Sequence, residues 1–186
     1  MKNKNRIIIF LAILGLVLFS FLQFAIIPME KAKEARYISN QKSPRTHDLN
    51  SILKFKNKYM GDASNLINLF YSLPLSDIPM TFQLYPDKLV GEINYKSDIS
   101  SIGEEKVKEV IIYNSTAAFA LIDNLQGLVY NFQDNHYSIT RNNVEKFYGT
   151  KCNLLLEENC WKESVEKPLN DSKYVDNSLE SILSRE

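Results

Sequence analysis

The sequence predicts an α+β fold: a four-stranded antiparallel sheet built from two hairpins, with helices packed on one face, behind one N-terminal transmembrane helix. Three observations carry that expectation. An uncharged apolar run lies near the N-terminus. Further on, two pairs of alternating segments are each joined by turn residues. Between the pairs runs a long stretch with apolar residues at helical spacing.

The apolar run covers residues 7–27, "IIIFLAILGLVLFSFLQFAII", in which Ser20 and Gln23 are the polar residues. At about 1.5 Å per residue it reaches roughly 30 Å, the thickness of a bilayer's hydrocarbon core. A secretory signal is the competing reading, since Lys2, Lys4 and Arg6 form a basic leader. Signal cores are shorter, about 7–15 residues, and end at a small-residue cleavage site that "PMEKAKEARY" lacks. The expectation is an uncleaved anchor, with residues 1–6 as a cytoplasmic leader and the lipid bilayer as a partner through residues 7–27. Lys31, Lys33 and Arg36 balance the basic residues ahead of the span. The short leader before a large C-terminal part therefore decides the expected orientation, with the domain outside the cell.

Residues 28–47 read as a juxtamembrane segment and linker, with "ISNQKSPRTH" polar and broken by Pro44. The folded domain is expected over 48–165. Asp48 can cap a short helix through Leu49, Ile52 and Leu53. In "KYMGDAS", Asp62 is placed to cap a helix whose apolar positions are Leu66, Leu69, Phe70 and Leu73, with Pro74 as its stop. "MTFQLYP" and "LVGEINYK" alternate around Pro86, Asp87 and Lys88, giving the first hairpin. Residues 104–124 give the long helix, with Val107, Val110, Ile111, Ala117, Ala118, Leu121 and Ile122 in one stripe and Asn114 interrupting it. Leu128, Tyr130 and Phe132 pair with Tyr137 and Ile139 across an Asp134-Asn135 turn. Thr140 and Gly149 bracket a further helix. Residues 166–186 read as a mobile polar tail, with a short helix near Leu179 to Leu183.

Chemistry is scarce by comparison. Lys plus Arg and Asp plus Glu number 22 each, so the chain lacks the basic footprint of a nucleic-acid binder. It has no Gly-rich phosphate loop, no HExxH and no GxSxG. His47 falls in the linker and His136 just past a hairpin turn, poor material for a catalytic triad. Cys152 and Cys160 bracket "NLLLEEN". On one helix they would stand about 12 Å apart, beyond disulfide reach, so a bridge needs a bend between them. A bridge and two unlinked thiols both fit. The expectation is a protein without catalytic residues, metal or cofactor.

The segments "YMGDASNLINLFYSLP", "EVIIYNSTAAFALIDNL" and "YSITRNNVEKFYG" together resemble a family of extracytoplasmic domains from Gram-positive bacteria, domain of unknown function 4825, over about residues 53–149. The resemblance implies placement outside the membrane and a partner-binding or sensing role, with a membrane or envelope protein as partner. It supplies no catalytic residues. The positions it matches include Tyr59, Gly61, Asp62, Tyr113, Asn114, Asn124, Tyr148 and Gly149. Of these, Tyr59, Asp62, Asn114 and Tyr148 are the binding candidates, and each also has a structural reading as a cap or core residue. The alternative is a cell-envelope enzyme using carboxylate and tyrosine groups near Asp62.

Overall fold

A computed structural model describes residues 2–184, so Met1 of the leader and residues 185 and 186 of the tail lie outside the described residues. The chain forms two compact units, 1–39 and 40–186.

The first unit is helical. Helix α1 (Lys2–Phe21) passes through a π-helical turn (Leu22–Ile26) into α2 (Ile27–Gln41). Pro28 accounts for the turn. It has no N–H to donate one turn back, and its ring crowds that carbonyl, so the chain widens locally. The stretch from Lys4 to Gln41 contains a window long and apolar enough to cross a membrane, with none of that window buried in protein. The helix continues to Gln41 through much of the segment read as juxtamembrane linker.

In the second unit, α3 (Ala63–Ser72) precedes strands β1 (Met80–Tyr85) and β2 (Val90–Tyr95). Then come α4 (Ile99–Ile102), α5 (Glu104–Leu121), β3 (Gly127–Asn131), β4 (His136–Thr140) and α6 (Arg141–Tyr148). A 3₁₀ turn (Cys152–Leu156), the short α7 (Glu158–Trp161), a π turn (Lys162–Glu166) and α8 (Ser172–Ile182) complete it. Both hairpins form where the alternation placed them, with β1 antiparallel to β2 and β3 antiparallel to β4.

The sheet order is β1-β2-β3-β4, and β2 runs parallel to β3, so the α+β fold holds while the sheet is mixed rather than antiparallel throughout. The reason lies in the connection. An 18-residue helix spans about 27 Å, enough to carry the chain back along the sheet. The next strand therefore starts beside the start of β2, as a crossover requires. Leu89 anchors that return: held at φ 56, it accepts hydrogen bonds from Gln126 N (2.8 Å) and Gly127 N (3.2 Å).

One sheet face is apolar. Phe82, Ile93, Tyr130 and Tyr137 lie in one row across the strands, and Leu84, Gly91, Leu128 and Ile139 in the next. The other face carries exposed Thr81, Gln83 and Tyr85 and a polar network in which Asn131 Nδ2 donates to Glu92 (3.0 Å) and Asn94 (2.8 Å). The helices cover the apolar face. Helix α5 is buried on every side from Glu109 to Leu121, more than its single stripe implied. It lies between the sheet, where Ser115 and the Tyr130 hydroxyl are 3.0 Å apart, and an outer layer that includes α8 and the Cys152–Leu156 turn. Small residues at 115, 116, 117, 118 and 120 let those neighbours approach closely.

The tail read as mobile is docked. Helix α8 buries Val175, Ser178, Leu179 and Ile182, residues that recur at helical spacing and form an apolar stripe on a polar helix. Leu183 then bridges to Ile139, and Ser184 N donates to Ser138 O at 2.8 Å. Polar composition concealed a helix that is polar on its outer side alone.

Candidate functional site

The four residues singled out from the sequence are held by separate local sets of partners. Asp62 caps α3: its Oδ1 accepts from Asn65 N (3.1 Å) and its Oδ2 from Asn57 Nδ2 (3.0 Å). Tyr59 is exposed, with Lys58 Nζ 5.3 Å from its ring centre. Asn114 is fully buried in α5, and its Nδ2 donates to Pro74 O at 2.9 Å. Its Oδ1 makes no hydrogen bond of good geometry; burial raises the pKa of the Tyr95 hydroxyl, and a side-chain contact with Asn114 acts in the opposite direction. Tyr148 ends α6, with its hydroxyl 3.5 Å from Thr116 Oγ1, and burial pushes its ionisation far up. Neither described cavity is lined by any of the four.

Cys152 and Cys160 are both free. Cys152 is buried at the start of its 3₁₀ turn, and desolvation pushes its thiol up to about 12. Cys160 is half-buried in α7. His136 is exposed at the start of β4, as its place beside the turn implied.

The most chemically organised region gathers residues from the two ends of the segment read as the folded domain, with His47 from the linker and Glu166 from the tail. A cleft of about 160 Å³ is lined by His47, Asp48, Glu158, Trp161, Lys162 and Glu166, together with Leu49 and Asn50. His47 lies behind it, 2% exposed. Its Nε2 is 2.8 Å from Ser72 O, and a carbonyl can only accept, so the proton sits on Nε2. Nδ1 of the neutral ring then accepts from the Tyr113 hydroxyl at 2.9 Å. Burial lowers the His47 pKa and so favours this neutral form. The Tyr113 ring meets Trp161 edge-on, with centres 5.4 Å apart. The Trp161 indole N–H makes no hydrogen bond of good geometry, yet lies close enough to Tyr113 and Glu166 to favour ionisation of both. Desolvation nevertheless dominates at Glu166 and raises its carboxyl to about 7, against the pull of Lys162.

Sequence reasoning missed this cleft because its two groups of residues, 47–50 and 158–166, stand more than a hundred positions apart, at the two ends of the predicted domain. The one available signal was Trp161, the chain's single tryptophan, at the border of the supposed tail. A large aromatic is seldom left in solvent, so it marks that border as packed.

A wider groove of about 720 Å³ runs between α6 and the end of α8, lined by Thr140, Asn143, Lys146, Phe147, Glu180 and Leu183 among others. Among the described residues, no three His, Cys, Asp or Glu side chains come together as a metal-binding group.

Residues 52–143 match the model of a family described as a domain of unknown function, DUF4825. No curated protein and no solved structure matches the chain.

Proposed function

From a chain that carries a DUF4825 domain and a helix able to cross a membrane, we propose a membrane-tethered, extracytoplasmic module that binds a partner protein or ligand in envelope sensing, without catalysing a reaction. The short leader with Lys2, Lys4 and Arg6 supports an inside N-terminus. The observation that carries the binding reading is the cleft around Glu166. It is concave and walled by an aromatic, and it holds a carboxyl displaced from its ordinary range, features that gather at binding sites. Asp48, Glu158 and Glu166 outnumber Lys162 there, so the group it takes is cationic or donates hydrogen bonds. The alternative, an envelope enzyme using carboxylate and tyrosine groups near Asp62, has less support, since Asp62 serves as a helix cap and lines neither described cavity.

Two measurements test the proposal. Half-buried Cys160 should react with a membrane-impermeant maleimide on intact cells without prior reduction; reaction only after lysis overturns the orientation. A photo-crosslinking residue in place of exposed Lys162 should give a discrete adduct in membranes. Glu166→Lys should abolish that adduct while leaving the melting temperature of the full chain near the parent's. An adduct that survives Glu166→Lys, or no adduct, overturns the cleft as the binding site.

A further inference from the structure

The two edges of the sheet are treated differently. The β4 edge is covered by the chain itself, through the Ile139–Leu183 bridge and the bond from Ser184 N to Ser138 O. The β1 edge is not. Lys96 N donates to Pro79 O at 2.8 Å, and this fixes which backbone groups of β1 face β2. Hydrogen-bonded pairs alternate in an antiparallel ladder, so Thr81, Gln83 and Tyr85 face β2, while Phe82 and Leu84 turn their N–H and C=O groups outward. Among the described residues, no backbone hydrogen bond from another segment reaches those outward groups.

Natural sheets guard an open edge with a charge, a proline, a bulge or a covering segment. The strand "MTFQLY" has neither charge nor proline, and its six residues pair with β2 without a break. The apolar layer also runs out to this edge. Phe82 and Leu84 are partly exposed, and Tyr71, 51% exposed, lies edge-on to the Phe82 ring with centres 5.7 Å apart.

We propose that the β1 edge is a self-association surface, which pairs antiparallel with β1 of a second copy of this chain to form one continuous eight-stranded sheet. The strand suits itself as partner. With Phe82 opposite Phe82 of the second copy, Met80 faces Leu84 and all three outward residues have an N–H to give, for roughly six main-chain hydrogen bonds. This register keeps both apolar faces on one side, as a shared helical layer requires. Thr81 then meets Gln83, an uncharged polar pair on the open face. No like charges oppose one another along the strand, and tethering in a membrane would raise the local concentration of copies. This proposal does not depend on the cleft.

The test uses the full chain in detergent micelles and in cells. Light scattering should give a dimer, and Thr81→Lys with Gln83→Lys should turn it into a monomer that still unfolds cooperatively, since both side chains are exposed, with a melting temperature that no longer depends on chain concentration. A monomeric parent chain overturns the proposal, as does a dimer that survives the double lysine variant, which would place association elsewhere. A second arm does not rely on disrupting the pairing. In a Cys160→Ser background, chains with Thr81→Cys and chains with Gln83→Cys are co-expressed under different tags. Non-hydrogen-bonded antiparallel neighbours stand about 4.5 Å apart at Cα, within disulfide range. Oxidation should link the mixed pair far more than either variant with itself, and equal linking in all three overturns the register and with it the strand pairing.

Discussion

The two ends of the folded unit are both polar stretches, and both are fastened to the core, by different physics. At the N-terminal end the fastening is polar and titratable. Arg45 pairs with buried Glu109 through two nitrogens, the Nε contact at 3.0 Å, and His47 bridges Ser72 and Tyr113. At the C-terminal end it is chiefly apolar burial and backbone pairing, through Val175, Leu179, Ile182 and the strand bridge at Leu183, with one exposed ion pair, Lys108 to Asp176 at 2.9 Å, beside them. Hydrophobic burial does not depend on protonation or on salt, whereas the hydrogen bonds of a histidine depend on the first and a half-exposed ion pair on the second. The Arg45 and His47 contacts should therefore respond to salt and to pH respectively, and the apolar contacts of Val175, Leu179 and Ile182 to neither.

The largest effect that sharpens this contrast is expected at Ile182, 1% exposed. Ile182→Ala should cost about 2–5 kcal/mol in urea unfolding, by the same amount at pH 5 and pH 8. A loss that varies strongly with pH would break the comparison.

Next comes Arg45→Ala, which strands the Glu109 carboxylate at 6% exposure. Leaving a buried acceptor unpaired costs about 1–3 kcal/mol. Arg45 is itself 37% exposed, so added salt should shrink the difference between variant and parent. Equal losses in low and high salt would show that packing, not charge, holds this end.

The smallest effects are two pH slopes of opposite sign. His47 has a lowered pKa when folded, so the unfolded chain binds the extra proton more readily and stability falls as pH drops below about 6.5. Glu166 has a raised pKa when folded, so the native state keeps a proton that the unfolded chain releases. Its contribution is lost as pH rises from the ordinary carboxylate range through about 7. Melting temperatures across pH 5 to 8 should show Glu166→Gln gaining on the parent at the alkaline end. His47→Gln should lose less than the parent at the acid end. If both variants track the parent at every pH, neither group is coupled to folding.

Much of the fold was legible because local rules decide it. Asp62 and Thr140 cap helices through side-chain acceptors, and Gly149 ends α6 in the left-handed conformation at φ 66. Each hairpin turn falls between its alternating runs. The Cys152 and Cys160 pair was open in the sequence, and the structure leaves both thiols free. The direction of β3 was missed, because turn chemistry and alternation are the same for a strand entered from either end; the long helix between the hairpins was the available signal of a parallel crossover. The cleft was not legible either, since Asp48 and Glu166 meet through the packing of Trp161 against Tyr113, which no local pattern encodes.

By itself the sequence determined the apolar span, the hairpins, the caps and the long helix, since each depends on residues a few positions apart. Tertiary structure alone decided that β2 and β3 lie side by side, the docking of both polar ends and the shift of Glu166. Those depend on which surfaces are withdrawn from water together, and burial is a property of the whole folded chain.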